Sequence, residues 1–588
     1  MLPTLTQIDW LIVLLTLFSV LAIGLSFRSS IKTAADYFQA GRSLPTWIGV
    51  LAFLGASLGS LDLIATVAAG AQYGLRAAQF FAIGSVVPLL FASIYIVPAL
   101  VQSGARTLPE YLRLRFDRRT SLFNAYAFVL IAIATAGFSL YLVARLFQAM
   151  HVFDSLLYSF HLSHALIFPI TVLLAAFVVL VYVVVAGLGA SIVNQAVQFL
   201  IVVAAFFPVA YTGLNRVGGF EAMKAALAAN SALAGNTAHV GASGLALIAG
   251  IALSAGYWCA DFRLFQIVMA AKDARAASRI PLLAAATRLF VPIALVVVGA
   301  VAICLPTPQS STTVREANGA IYHEITIVPR DAAAGHGLVP ARADADGNPV
   351  PSGNGQALLD YDRTAPAMLM NFPPAGLLGL GIAALLAALM NSLAASATAV
   401  SAVFTFDILQ LTTTQEKEDR RAITFGRLSS VGFLLLAIGA AFAFSAAKGF
   451  GLHALDALLL FFAVFSASQF ATFLLGIFSR RTSAKGAFAG MVAGTAAALL
   501  ALVLAVPHYL SFAAVCFFTA VVALLVNVVV ATAVSFSSAS VGEAQVVLVP
   551  TKTKAKTKRR APEARPKQNE ILAGVILLTA IALSICFY

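Results

Sequence analysis

One carboxylate, Asp62, lies near the middle of an apolar stretch from Ser43 to Leu75 that is long enough to cross a bilayer. An acid at that depth is costly unless it faces protein, water or a cation, so it marks a candidate functional site. The sequence GASLGS, from Gly55 to Ser60, directly precedes it. A helix break there would free backbone carbonyls, which a membrane tolerates only around a cavity. We therefore predict that this stretch forms half of a site for an ion and a solute.

A second polar cluster lies within another apolar stretch, in the sequence YWCAD, which contains Tyr257, Trp258 and Asp261. Tyr257 is a candidate to close under a solute, although an aromatic residue packed in the core explains it equally well. The two clusters occupy corresponding depths of two different spans. The two spans are predicted to cross the membrane in opposite directions.

Three arginines fall inside apolar spans: Arg145, Arg263 and Arg288. Arg288 must meet an anion, either the solute or a protein carboxylate, and pairing with Asp62 or Asp261 would neutralise both partners. Arg263 follows Asp261 by two residues, so on a regular helix the two side chains would point apart. We expect Arg263 to extend to the inner membrane interface and Arg145 to lie near the outer end of its span.

The composition indicates a polytopic membrane protein, because 61% of the 588 residues are hydrophobic and only 10% are charged. Apolar runs of roughly 20 residues, the length that crosses a bilayer, predict an all-α protein with about fourteen membrane helices. They lie near residues 8–27, 45–72, 78–103, 121–149, 164–186, 189–214, 241–268, 281–304, 373–409, 426–446, 452–478, 486–506, 510–535 and 570–587.

The distribution of basic residues predicts the orientation, because most Lys and Arg fall in alternate loops. By the positive-inside rule those loops are cytoplasmic, which places both termini outside, in a plasma or inner membrane. The outer segment 305–372 is rich in turn residues and is expected to be irregular, with one hairpin around IYHEITIVP. The basic run 552–567 is interpreted as a solvated tether that helps to set topology, with anionic lipid or a cytosolic partner as the alternative.

Several function classes are disfavoured by the residues that the chain lacks. The four cysteines are scattered and the eight histidines show no metal-ligand spacing, so neither a disulfide framework nor a resident metal or organic cofactor is expected. Gly55 to Gly59 matches the G-x-S-x-G pattern of hydrolases, but no histidine lies in a span to activate Ser57. We expect a protein that is not an enzyme, whose net charge of +13 reflects topology rather than nucleic-acid binding.

Five stretches, in order along the chain, resemble the sodium:solute symporter family: DYFQAGRSLP, TLPEYLRLRF, YWCADFRLFQ, MNSLAASATAVSAVFTFDI and LLGIFSRRTSAKGAFAG. The resemblance implies the inverted five-helix repeats of the LeuT-like fold. Our own span count agrees, because a second copy of a five-span unit must be inserted upside down.

The predicted organisation is therefore an N-terminal span with its inner loop, two repeats, two further helices, a basic loop and a last span. These correspond to residues 1–44, 45–214 (helices 1 to 5), 241–478 (helices 6 to 10, including 305–372), 479–535, 536–569 and 570–588, with an outer loop at 215–240.

The resemblance also implies a sodium site at the break in helix 1, the span near residues 45–72. Its ligands would be the carbonyls of Gly55, Leu58 and Ala388 and the side chains of Asn391 and Ser392. Helix 8, the span near residues 373–409, is rich in small residues, and close helix packing is the alternative reason for that composition.

A second sodium position of some family members corresponds here to the uncharged pair Asn194 and Gln195, which argues against a second ion. Positions that carry an acid and an amide in sugar-transporting members correspond to Phe81 and Leu459. Apolar side chains leave sugar hydroxyls without partners.

We therefore expect sodium-coupled uptake of a small solute by alternating access, with an organic acid or amino acid favoured over a sugar. Proton coupling through Asp62 is the nearer alternative, because a desolvated carboxylate can titrate near neutral pH. A channel would show rings of like residues and no broken spans. A sensor is expected to carry an appended signalling domain, and we identify none before Tyr588.

Overall fold

A computed structural model describes residues 5–152, 163–229, 244–306, 334–343, 348–351, 357–371, 376–411, 416–447, 451–505, 512–538 and 566–586. Within these ranges the chain is helical, with short 3₁₀ and π segments and only isolated β-bridges. The expected hairpin around IYHEITIVP and most of the basic run 552–567 lie outside the described residues.

The α-helices are α1 (Gln7–Ser26), α2 (Ala34–Gln39), α3 (Thr46–Ser57), α4 (Ser60–Tyr73), α5 (Arg76–Phe91), α6 (Val97–Ser103), α7 (Leu108–Arg115), α8 (Arg118–Ala149), α9 (Ile167–Val217), α10 (Phe220–Ala229), α11 (Gly244–Ala260), α12 (Phe262–Met269), α13 (Ala274–Thr287), α14 (Val291–Cys304), α15 (Thr364–Asn371), α16 (Leu377–Val403), α17 (Glu416–Ala446), α18 (Ala454–Phe461), α19 (Ala467–Phe478), α20 (Ala484–Ala505), α21 (Phe512–Ser537) and α22 (Pro566–Cys586). Three π segments, Ala92–Ile96, Phe404–Ile408 and Phe462–Ser466, extend or join these helices.

Ten of the described helical segments are long and apolar enough to cross a membrane, or eleven when the bent pair α3 and α4 counts as one span. Their sequences are apolar on all sides, which is what a helix needs when it faces both lipid and neighbouring helices. The all-helical prediction is thus confirmed. The predicted number of about fourteen spans is larger than this count.

The stretch around Asp62 is broken, as the GASLGS sequence predicts. Helix α3 ends at Ser57, α4 begins at Ser60, and the two axes differ by 67°. Leu58 has φ −95° and ψ 59°, which interrupts the helical ladder. Since the last carbonyls of a helix have no intrahelical partner, the break frees backbone oxygens between Gly55 and Leu58.

Two further breaks interrupt the apolar helices. Helix α11 ends at Ala260, and Asp261 then acts as the N-cap of α12 by accepting a hydrogen bond from the backbone N–H of Arg263. Helix α9 continues through 51 residues but turns at Gly187, where φ is 59°. A side chain at Gly187 would overlap the backbone of Tyr37, so both the conformation and the close packing favour glycine there.

Helix α16 is the central helix of the bundle, with most of its residues fully buried. Its N-terminus is capped by Asp9 of α1, whose Oδ1 accepts hydrogen bonds from the backbone of Gly376 at 3.1 Å and Gly379 at 2.7 Å. A carboxylate at a helix N-terminus is favourable because it faces the positive end of the helix dipole. The additional N-terminal helix is therefore part of the framework that positions α16.

Two contacts join connecting segments at one end of the bundle. Leu44, before α3, forms a β-bridge with Ala271, after α12. Thr107, before α7, donates from Oγ1 to Oδ2 of Asp407, after α16, at 2.7 Å. Nearby, Glu110 is bound by Arg106 and Arg113. Burial acts to raise the pKa of Glu110, but the hydrogen bonds and charges of these arginines outweigh it and lower that pKa. These contacts hold the connecting segments together at this end of the bundle.

At the opposite end, the segment before α15 packs against the start of α18. Asp362 accepts hydrogen bonds from the backbone N–H of Ala454 and lies 3.3 Å from Nδ1 of His453. The hydrogen bond to Asp362 raises the pKa of His453 to about 9. The described part of the predicted outer loop is thus attached to the bundle by an ion pair.

Candidate functional site

A cavity of about 40 Å³ lies where the α3–α4 break meets α8, α11, α12, α16 and α18. Its lining includes Asp62, the backbone around Gly59, and Ser392 of α16. This volume holds only a few water molecules. Entry of a solute therefore requires the walls to move apart.

An aromatic cluster forms one wall of this cavity. The rings of Tyr257 and Phe462 stack with centroids 4.4 Å apart, and Trp258 meets Tyr257 edge-on at 4.8 Å. The hydroxyl of Tyr257 lies 3.5 Å from the carbonyl oxygen of Ser57, at the helix break. Tyr257 thus connects the two broken helices.

A buried ion pair joins α4 to the segment between α13 and α14. Arg288 Nη1 lies 3.2 Å from Asp62 Oδ2, and its guanidinium carbon lies 4.6 Å from the centroid of Trp258. The side chains are 3% and 11% exposed, respectively. Of the two pairs that the sequence allows for Arg288, the structure has the one with Asp62. The Nε of Arg288 has no hydrogen-bond partner.

The prediction that Arg263 points away from Asp261 and extends to the membrane interface is wrong. Arg263 Nε lies 3.0 Å and 2.9 Å from the two carboxylate oxygens of Asp261, and its Nη2 contacts Oδ2. The reason is the helix break: Asp261 has extended backbone dihedrals as an N-cap, so its side chain turns back over the first turn of α12. Arg263 consequently lines the cavity.

Of the candidate sodium ligands, Ser392 lies against the break between α3 and α4, because a Cβ at Gly59 would overlap Ser392 Oγ. Gly55 packs against another helix, where a Cβ would overlap the backbone carbonyl of Gln195. Both amide atoms of Asn391 are buried without a hydrogen-bond partner, which is costly. Ala388 and Leu58 are likewise buried.

The two positions at which the resemblance places sugar contacts are not in the cavity wall. Phe81 is buried and packs edge-on against Phe80 at 5.2 Å. Leu459 is also buried, while its neighbours Leu458 and Phe461 form the lining.

Other lining residues were not predicted from the sequence, namely Thr135 and Ser139 of α8 and Ser396 of α16. Ser396 Oγ has no hydrogen-bond partner. The only signal for the α8 pair is the run ATAGFS in the middle of an apolar span.

Comparisons with known proteins agree with this architecture. The model of the sodium:solute symporter family matches residues 37–333 and 345–494. A sodium/glucose cotransporter of Vibrio parahaemolyticus is 25% identical over 480 residues, covering 80% of this chain and 79% of its own length. The sodium/myo-inositol cotransporter 2 of Mus musculus is 26% identical, with coverages of 84% and 70%.

Among solved structures, a sodium-coupled sialic acid symporter in a substrate-bound, outward-open state aligns with a TM-score of 0.68 at 19% identity. The alignment covers 91% of this chain and 98% of that one, which shows a shared fold. These relatives are membrane transporters and not enzymes. The chain belongs to the sodium:solute symporter family.

Proposed function

We propose that this protein couples the entry of sodium to the uptake of a small solute by alternating access. The observation that carries the proposal is the break between α3 and α4, which frees backbone carbonyls and has Ser392 of α16 beside Gly59. Asn391, the neighbour of Ser392 in the chain, has a buried amide without a hydrogen-bond partner. Unwound carbonyls with neutral side-chain oxygens are the ligands that transporters use for sodium. The proposed ligands are the carbonyls of Gly55, Leu58 and Ala388 with those two side chains.

The breaks also support movement between two access states. Helices α3 and α4 meet at one break and α11 and α12 at another, and these breaks are the proposed joints about which each half tilts. The contacts of Leu44 and of Asp407 hold together one end of the bundle, which we propose to be cytoplasmic and shut in this state. Opening that end after sodium and solute bind would release both inward.

We propose fourteen membrane helices in two inverted five-helix repeats, with both termini outside in the plasma or inner membrane. At 1.5 Å per residue α9 would extend about 77 Å, more than twice the hydrocarbon thickness, and its turn at Gly187 divides it into two spans. The pair α11 and α12 and the terminal α22 supply further spans that length alone does not identify. The proposed unit boundaries are those predicted above from the sequence.

The solute is proposed to be an organic acid or an amino acid. The curated relatives named above are described as cotransporters of glucose and myo-inositol, but the cavity of this chain presents the charged side chains of Asp62 and Arg263 among hydroxyl and aromatic side chains. Charged groups on the solute can pair with these two side chains through charge-assisted hydrogen bonds, which are stronger than those to neutral hydroxyls.

Proton coupling through Asp62 is the second candidate function. It is favoured by the position of Asp62 in the cavity wall, whereas Arg288 already gives this carboxylate a partner of opposite charge. A channel or a sensor is a more remote alternative, because a channel is expected to have continuous spans and not the helix breaks that surround this cavity.

The proposal can be tested without knowing the solute. Sodium should raise the thermal stability of the purified protein when titrated against choline at constant ionic strength, because ligands that bind the folded state stabilise it. Ser392→Ala removes one coordinating oxygen and should weaken apparent sodium affinity about ten-fold, equivalent to ~1.4 kcal/mol. Ser430→Ala, a buried serine of α17, is the matched control. Equal stability in sodium and choline, with a strong dependence on pH that Asp62→Asn abolishes, would favour the proton alternative.

A further inference from the structure

Two ion pairs flank the cavity, and each presents one member to it while its partner lies behind. Asp62 lines the cavity, whereas Arg288 lies behind it against Trp258. Arg263 lines the cavity, whereas Asp261 lies behind it as the cap of α12. Tyr257 lies within electrostatic range of all four charges. The site therefore presents one anionic group and one cationic group to any solute.

Each of the two cavity-facing groups retains hydrogen-bonding capacity. The pairing of Asp62 with Arg288 uses Oδ2. Arg263 donates to the carboxylate of Asp261 from Nε and Nη2, which leaves Nη1 of Arg263 for another acceptor. A carboxylate oxygen and a guanidinium edge can thus bind a cation and an anion, respectively.

The two cavity-facing groups restrict which solutes fit. A solute with a single charged group would pair with only one of them and leave the other without a charged partner. A neutral solute would give neither of them a charged partner. A solute that carries one positive and one negative group satisfies both.

We propose that the solute is a zwitterion of the amino-acid type, with its ammonium group toward Asp62 and its carboxylate toward Arg263. Arg288 serves as the fixed counter-charge of Asp62 and not as the solute's carboxylate receptor. The apolar surfaces of Tyr257, Leu458 and Phe462 receive the solute's side chain. This inference rests on the proposed symport function, of which it specifies the substrate class.

The test compares ligands that differ by one charged group. Purified protein in sodium is screened by thermal shift and competition binding against the twenty amino acids and glycine betaine. For each amino acid that binds, the 2-hydroxy acid lacking the ammonium group and the amine lacking the carboxylate are measured alongside. D-glucose, myo-inositol and dicarboxylic acids complete the panel. We expect an amino acid to bind at least ten-fold more tightly than either analogue.

Variants assign each charge to its receptor. Asp62→Asn should reduce the preference for the amino acid over its hydroxy acid to less than three-fold while retaining the preference over the amine. Arg263→Gln should have the converse effect. Glu416→Gln and Arg420→Gln, an exposed pair on α17, remove the same charges elsewhere and should leave both preferences unchanged. If a variant fails to fold, the ligand series on the unmodified protein decides.

Three results would overturn the inference: binding of no zwitterion, equal binding of an amino acid and its hydroxy acid, or binding of D-glucose or myo-inositol in their place. These outcomes are separable from failure of the symport proposal. Sodium-driven uptake of a sugar into proteoliposomes would refute the zwitterion assignment and preserve symport. Sodium-independent uptake of an amino acid would do the reverse.

Discussion

The ion pair between Asp62 and Arg288 gives the most quantitative prediction for this fold. The side chains of Asp62 and Arg288 are 11% and 3% exposed, so Arg288 cannot be hydrated when Asp62 is removed. Breaking one side of a buried pair typically costs about 3–5 kcal/mol. Asparagine can still accept one hydrogen bond from Arg288, so we expect Asp62→Asn to lower the free energy of unfolding by about 3 kcal/mol.

Arg288→Gln should cost less, about 2 kcal/mol, because Asp62 faces the cavity and can recruit water there. The double variant replaces the ion pair by two neutral amides and should cost only about 2 kcal/mol in total. The coupling energy between the two sites is then about 3 kcal/mol. Denaturant unfolding in detergent micelles, with expression level as a first indicator, measures all three variants.

The exposed pair Glu416 and Arg420, 2.8 Å apart on α17, provides the control cycle and should show little coupling. Additivity of the Asp62 and Arg288 variants within about 0.5 kcal/mol would show that the pair does not stabilise the folded state as argued. So would an Arg288→Gln variant that is more stable than the unmodified protein.

Further predictions concern other parts of the molecule. Gly59→Ala should weaken the stabilisation of the protein by sodium, because the new Cβ would displace Ser392 Oγ. Gly432→Ala, at a position with open space, is the control. Equal sodium titrations of the two variants would count against the proposed sodium site. Folding raises the pKa of His453 from its ordinary 6.5 to about 9 through its hydrogen bond to Asp362. The stability that this contact contributes is therefore fully present below about pH 6.5 and is lost as the pH rises through 9. Thermal unfolding between pH 6 and 10 should show this loss of stability in the unmodified protein and not in His453→Gln, and identical pH profiles for the two proteins would exclude the contribution. Finally, Ala334→Cys should react with an impermeant maleimide in intact cells and Arg420→Cys should be protected, and the reverse pattern would invert the proposed orientation.

The sequence by itself determined the membrane class and the family. Apolar runs of bilayer length cannot be reconciled with a soluble protein, and the five family-like stretches occur in order along the chain. It also located the break before Asp62, because glycine and serine weaken a helix and an acid in an apolar span needs a cavity. The second polar cluster, at YWCAD, likewise lies at a helix break that faces the first.

The tertiary structure decided how the charges pair. From the sequence Arg288 could meet Asp62, Asp261 or the solute, and the choice depends on how α4 and the α13–α14 junction pack, which spacing along one chain does not encode. The error over Arg263 has a local cause, since periodicity assumes a continuous helix and Asp261 lies outside one. Which member of each pair faces the cavity follows from the orientation of seven helices around it. That arrangement is a property of long-range packing, and it sets the pattern of charges that the cavity presents.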